Sequence, residues 1–287
     1  MGGGTKPVRA GGQALADGVL MRTERAWAIA RADGTLEVGP VPRNRFAPIP
    51  VLRVLAGLVG ALKLGIGRGM LRRGSRESEG VRRSRRLNAR FLVVLLLAEA
   101  ALMAVAWGAG RVDPPWWADL LLTLLPWVVV LAVLRMATAP VLWRYHGAEH
   151  KAVAAHEAGV DLTDTAAVLA CSRVHNRCGT NLVFLLAVGT VALVAVPEVF
   201  QVPVFLLTLG ACVELVTLAS SRPGLLASRV LLAGGKLLQR HVTTAEPSPD
   251  EQAVGCRALL AALAEHARLE QAEAGAAAAP AAELVTA

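Results

Sequence analysis

Two histidines and a glutamate stand at helical spacing in the middle of the chain. His146 and His150 are four residues apart, so a helix would place both imidazoles on one face. Glu149 completes an H-x-x-E-H arrangement, in which two histidines hold a zinc ion and the carboxylate acts as general base. The sequence therefore predicts a divalent metal site, with zinc as the expected metal and Glu149 as the catalytic residue.

Further ligands are expected outside this stretch. His175 and Cys178 lie at chelating spacing, and Cys178 precedes a helix whose dipole favours the thiolate. Glu214 stands in an apolar segment, where a charged group is costly and usually functional. Other roles stay open for each: interfacial histidines, a small residue in a turn for Cys178, and a bundle ion pair with Arg135 for Glu214. Glu149 could instead accept the free ring N–H of a ligating histidine, or form an ion pair with Lys151, Arg144 or Arg177.

The composition is typical of a membrane protein. Of 287 residues, 54% are hydrophobic and 18% are charged, and the apolar residues come in long blocks. Thirteen of the thirty lysines and arginines lie between Arg43 and Arg90. Beside apolar segments such a patch indicates anionic lipid headgroups as partners rather than nucleic acid. The four cysteines show no paired framework, and the Gly-rich start lacks the apolar core of a signal peptide.

Hydropathy predicts a mainly α-helical, polytopic membrane protein with four transmembrane helices. The four spans are Phe91 to Gly110, Trp116 to Trp143, Asn181 to Phe200 and Val202 to Ser221. Basic residues flank them on one side, so the positive-inside rule places both termini and the histidine segment in the cytoplasm. The expected location is therefore the bacterial cytoplasmic membrane, with a multi-pass topology.

The rest of the chain divides by composition. The start contains a hairpin signal, with Asp33-Gly34 as the turn between Ala26 to Arg31 and Thr35 to Val38. After the last span, Ser248-Pro249-Asp250-Glu251 forms a capping box for a helix to about Glu270. The predicted units are a strand and hairpin unit (1–47), an interfacial amphipathic helix with a basic linker (48–90), spans one and two (91–143), a cytosolic His/Cys insertion (144–180), spans three and four (181–221), cytosolic C-terminal helices (222–270) and a disordered Ala-rich tail (271–287).

Several short motifs occur in one order along the chain: Gly11-Gly12-Gln13-Ala14, Gly18-Val19-Leu20-Met21-Arg22, His146-Gly147-Ala148-Glu149-His150-Lys151, Arg177-Cys178-Gly179-Thr180, and Thr243-Thr244 with Glu246-Pro247. Together they resemble one family, the YqhQ-like bacterial membrane proteins. The resemblance covers roughly residues 10–265, with Asp17 where the family usually has Glu and Val54 where Gly is expected. It implies a domain of unknown function described as a predicted metal-dependent enzyme.

Two functions are compatible with these residues. The first is a membrane metalloenzyme, with hydrolysis as the expected reaction, in which His175, Cys178 or Glu214 completes the ligand set. The second is a membrane scaffold, insertion factor or transport component with a structural metal site. The ligand count separates them, because catalytic zinc keeps an open position while structural zinc has four protein ligands. Homo-oligomerisation stays open.

Overall fold

A computed structural model describes residues 7–42, 115–137 and 140–278, together with four helical positions at 93, 97, 104 and 108. The predicted interfacial helix and basic linker (48–90) lie outside the described residues. The predicted first span lies there too, apart from those four positions.

The N-terminal strands form one antiparallel sheet. Strands β1 (Gly11–Leu15), β2 (Gly18–Arg22), β3 (Ala26–Arg31) and β4 (Leu36–Pro40) pair in sequence order. The hairpin predicted around Asp33-Gly34 is confirmed as β3 and β4, and Gly34 adopts a φ of 91° in its turn. The predicted hairpin is thus half of a four-stranded sheet, because the Gly-rich motifs before it form the other two strands, β1 and β2.

Seven helices follow in the described residues: α1 (Trp116–Ala137), α2 (Pro140–Ala158), α3 (Thr165–Leu169), α4 (Gly179–Thr190), α5 (Glu198–Ser221), α6 (Leu226–Leu238) and α7 (Pro249–Ala278). Pro126 lies inside α1, and Gly159, with a φ of 71°, ends α2 where the sequence predicted. A 3-10 turn (Val191–Ala195) follows α4, and a π-helical turn (Gln239–Thr243) follows α6.

The main core lies between one face of the sheet and helices α2 and α7. Val19 and Met21 of β2 point into it and are fully buried, as the two-residue period of a strand requires. Small side chains on the helices, including Ala152 and Ala258, let the backbones approach closely. Leu20 and Ile29 point to the opposite face, where they join a second buried cluster.

The prediction of four transmembrane helices is wrong. Within the described residues a single stretch, Val199–Ser221 of α5, is long and apolar enough to cross a membrane. Helix α4 has 12 residues, roughly 18 Å of rise against a hydrocarbon core of about 30 Å. The end of the predicted second span belongs to α2, where Trp143 is buried in the protein. With one stretch of sufficient length among the described residues, the multi-pass topology is not supported. The sequence predicted more spans because hydropathy does not distinguish a helix covered by protein from one covered by lipid.

The C-terminal helix begins as predicted and ends later. In the capping box, the Ser248 backbone N–H donates to Glu251 at 2.8 Å, and the Glu251 N–H donates to the Ser248 hydroxyl at 3.3 Å. Helix α7 continues to Ala278, so residues 271–278 are helical where a disordered tail was expected. The Ala, Glu and Gln residues of this end are strong helix formers. Residues 279–287 lie outside the described part of the chain.

Adjacent leucines on α7 test the packing of this core. Leu259 is fully buried against the sheet, whereas Leu260 is 40% exposed. We expect Leu259→Ala to lower the free energy of unfolding by about 2–5 kcal/mol, because it leaves a cavity. Leu260→Ala should change it by less than about 0.5 kcal/mol. Denaturant unfolding of both variants measures the difference, and equal effects would contradict the described orientation of α7.

Candidate metal centre

Helix α2 carries the first three side chains of the site. His146 and His150 lie on one face of the helix, with ring centroids 4.4 Å apart in an edge-to-face arrangement. Glu149 and His150 are buried, at 6% and 3% exposure. The four-residue spacing thus presents two imidazoles to the same point, as the sequence indicated.

Both imidazoles are oriented by backbone carbonyls. His146 Nδ1 lies 2.6 Å from the Thr243 carbonyl oxygen, and His150 Nδ1 lies 2.6 Å from that of Arg173. A carbonyl oxygen only accepts, so each Nδ1 must carry the proton. Each neutral ring then has its lone pair on Nε2. Metal-binding histidines are typically held in this way, with the second nitrogen donating to a carbonyl or carboxylate.

Cys178 supplies a third ligand atom. It caps the N-terminus of α4, where its Sγ accepts from the Thr180 backbone N–H at 3.4 Å. Its Sγ lies 3.4 Å from His146 Nε2, and the ligand atoms of His146, His150 and Cys178 all lie within 4.8 Å of one another. Zinc–ligand bond lengths in a tetrahedral site imply a nitrogen–sulfur separation of about 3.6 Å. The donor set and its spacing therefore fit zinc.

Glu149 lies against the edge of the sheet and faces the same cavity. The Gly12 backbone N–H donates to its carboxylate. Burial raises the pKa of Glu149 above its ordinary value, against the opposing effects of His146 and the Gly12 hydrogen bond. A cavity of about 90 Å³ is lined by Glu149 together with His146, His150 and Cys178. A dication there would favour the ionised carboxylate.

The other two predicted ligands have different surroundings. His175 lines the cavity, and its ring centroid is 6.0 Å from that of His150. However, its Nε2 bonds Glu157 at 3.0 Å and its Nδ1 accepts from the Arg177 backbone N–H. Burial lowers the pKa of His175 and outweighs the opposing effect of Glu157. Glu214 lies on α5 and is not among the residues that line the cavity.

Gly147 explains how Thr243 reaches His146. A Cβ at Gly147 would lie 2.0 Å from the Ala245 carbonyl oxygen, so only glycine lets the 243–246 segment cross α2 there. The Ala245 N–H donates to the Trp143 carbonyl at 2.8 Å. Buried Lys151 secures the same segment through an ion pair with Glu246 at 2.7 Å. The sequence motifs include these residues, but their spacing does not reveal the contact.

The loop before α4 is held by a buried amide pair. Gln239 donates to the Asn181 side chain at 3.2 Å and accepts from the His175 backbone N–H at 2.8 Å. Asn181 in turn donates to the Asn176 carbonyl at 2.7 Å. Arg173 also bonds the Thr244 carbonyl and hydroxyl, so the two carbonyls that orient the histidines belong to connected segments. These hydrogen bonds were not predicted, because they join residues far apart in the chain and no motif spacing indicates them.

Residues 49–265 match the model of a family described as "Protein of unknown function (DUF1385)". The chain belongs to this family. The match includes all three candidate ligands, Glu149 and Thr243, whereas β1 to β4 precede the matched range of this DUF1385 chain. No curated protein and no solved structure matches the chain.

Neighbouring glycines of β1 test the contact between the sheet and Glu149. A Cβ at Gly12 would lie 2.4 Å from the Leu20 carbonyl oxygen and 2.9 Å from Glu149 Cγ, whereas a Cβ at Gly11 would meet nothing within 4 Å. We expect Gly12→Ala to lower the free energy of unfolding by about 1–3 kcal/mol, because it overpacks the strand. Gly11→Ala should be neutral or slightly stabilising. Thermal unfolding of both proteins compares them, and a tolerated Gly12→Ala would rule out this close approach.

Proposed function

We propose that this protein is a metal-dependent hydrolase with a zinc ion held by His146, His150 and Cys178. One observation carries the proposal: three ligand atoms converge within 4.8 Å beside a cavity that Glu149 also lines. Catalytic zinc typically has three protein ligands and keeps one position for water or substrate. Three ligands beside a cavity therefore favour catalysis over a closed structural site.

The surrounding residues have distinct roles in this proposal. When bound, a divalent ion would polarise a substrate carbonyl or phosphoryl oxygen and lower the pKa of a water molecule. Glu149 would accept a proton through its carboxylate, which the Gly12 N–H holds at the wall of the cavity. Thr243 and Arg173 would keep Nε2 of each histidine directed at the ion, since their carbonyls accept from Nδ1.

A structural zinc site is the second candidate. His175 lies next to His150, and its Nε2 would become available if the ring left Glu157. Four protein ligands would then close the site and join α2 to the loop before α4. This function corresponds to a scaffold, insertion factor or transport component. Glu149 would then serve only to bind the Gly12 amide.

The proposal places the site at the cytoplasmic side of the bacterial membrane. Helix α5 supplies the apolar stretch Val199–Ser221, whose side chains are mostly exposed in the structure. We also propose that the chain is one of the YqhQ-like proteins. The basic segment 43–90, which lies outside the described residues, would contact anionic lipid headgroups.

Metal binding is tested by replacing the ligands one at a time. We expect the purified protein to contain about one zinc per chain, and His146→Ala or His150→Ala to lose most of it, because two ligands bind far more weakly than three. Elemental analysis gives the content, with His241→Ala as control because His241 is exposed. In the cobalt-substituted protein, Cys178→Ser should abolish the thiolate charge-transfer absorption. Equal metal content in all variants would place the ion elsewhere.

The role of Glu149 separates the enzyme from the scaffold. Glu149→Gln keeps the side-chain shape but removes the base, so we expect retained zinc and a loss of hydrolysis of about 100-fold or more. Hydrolysis of p-nitrophenyl carboxylic and phosphate esters provides the activity measurement. Glu265→Gln, which removes a surface partner of Arg268 on α7, is the matched control. A variant at position 149 that keeps both metal and activity would favour the structural site.

A further inference from the structure

A second, larger cavity adjoins the candidate metal centre. It measures about 460 Å³ and lies over the ends of β1 and β2. It shares Ala10, Gly11, Gly12 and Arg177 with the 90 Å³ cavity that contains the candidate ligands. The two cavities therefore lie side by side at the edge strand β1.

The lining of the larger cavity is basic. Three arginines, Arg9, Arg22 and Arg177, line it together with one acidic residue, Glu24. Arg177 donates to the Ala10 carbonyl at 3.1 Å and pairs with Glu157. Guanidinium groups bind phosphate oxygens through forked hydrogen bonds, and a phosphate offers at least three acceptors.

Arg22 is the central member of this group. It is half-buried, and burial lowers its pKa from the ordinary value. None of the described residues forms an ion pair with it. Removing a guanidinium from water without a counter-ion is costly, so a bound anion would stabilise Arg22 in this position. Arg22 pairs with Gly11 across the β1–β2 ladder, so both residues face the same side of the sheet.

Gly11 leaves space in the lining of the larger cavity. A Cβ at this position would meet no atom within 4 Å. Packing within the described residues therefore does not require a glycine here, in contrast to Gly12. A side chain at position 11 would point to the same face of the sheet as Arg22 and would occupy space in the larger cavity.

We propose that the larger cavity binds a phosphate group of the substrate through Arg22, Arg9 and Arg177, beside the candidate metal centre. This inference rests on the proposed function and names its substrate class, a phosphate-bearing molecule. The phosphate could belong to a soluble metabolite or to a lipid headgroup, since both offer the same oxygens. The charge of the cavity does not depend on the metal, so anion binding is measurable by itself.

The test uses the full chain in nonionic detergent, treated with a chelator. Calorimetric titration with inorganic phosphate should give binding that Arg22→Gln weakens about tenfold or more, because a charge-assisted fork is lost. Gly11→Leu should weaken it comparably by filling the cavity. Arg25→Gln is the matched control: Arg25 lies in the turn between β2 and β3, pairs with Glu273 and does not line the cavity. Unchanged phosphate affinity in both Arg22→Gln and Gly11→Leu overturns the inference, as does equal weakening by Arg25→Gln.

Two further arms identify the source and the link to the metal. Short-chain phosphatidylglycerol that competes with phosphate and binds more tightly indicates a lipid headgroup, whereas weaker binding indicates a soluble phosphate. In the cobalt-loaded protein, the phosphorus resonance of bound phosphate should broaden, because the two cavities share four lining residues and lie side by side. If cobalt binds and the resonance does not broaden, the bound phosphate lies far from the metal centre, and the inference that it belongs to a substrate of that centre is overturned. Failure of cobalt to bind would contradict the proposed function, while the calorimetric result on anion binding would still stand.

Discussion

The close crossing of the 243–246 segment over α2 is the contact on which the site depends. It exists because position 147 has no side chain, which brings the Ala245 carbonyl against the helix backbone. The crossing places the Thr243 carbonyl on His146 and leads directly into α7, which packs against α2 near Ala148. Lys151 and Glu246 hold the same two segments together. A single close approach thus couples the orientation of a candidate ligand to the main core of the protein.

The sheet contributes to the site through its edge strand. Strand β1 has one edge paired with β2, and the Gly12 N–H donates to Glu149 of α2. A buried carboxylate with a single backbone donor is poorly stabilised as an anion, which is why burial raises its pKa. Such a group gains most from a nearby cation. Successive residues of β1 face opposite sides of the sheet. Gly12 faces Glu149 and the main core, whereas Gly11 faces the basic cavity together with Arg22 of β2.

Helices α4, α5 and α6 join an apolar surface to this polar centre. Helix α4 begins at the Cys178 cap, and Asn181 in its first turn bonds Gln239 at the end of α6. Helix α5 exposes large apolar side chains along its length, among them Val199, Leu207 and Leu218. Exposed apolar surface of this extent is unfavourable in water and is typical of a lipid or protein interface. The candidate metal centre therefore lies at the start of α4 and the end of α6, and α5, which carries that surface, packs against both helices.

The sequence alone determined the features that depend on local spacing. The i, i+4 histidines, the Asp33-Gly34 turn, the helix end at Gly159 and the Ser248–Glu251 capping box each follow from interactions within a few residues. Tertiary structure decided the rest. It brought Cys178 to His146 across 32 positions of the chain and directed His175 towards Glu157. It also showed that Trp143 is buried within the protein rather than exposed at a membrane interface. Spacing cannot reveal these outcomes, because they depend on which distant backbones can approach, and hydropathy measures apolar content without specifying whether protein or lipid covers it.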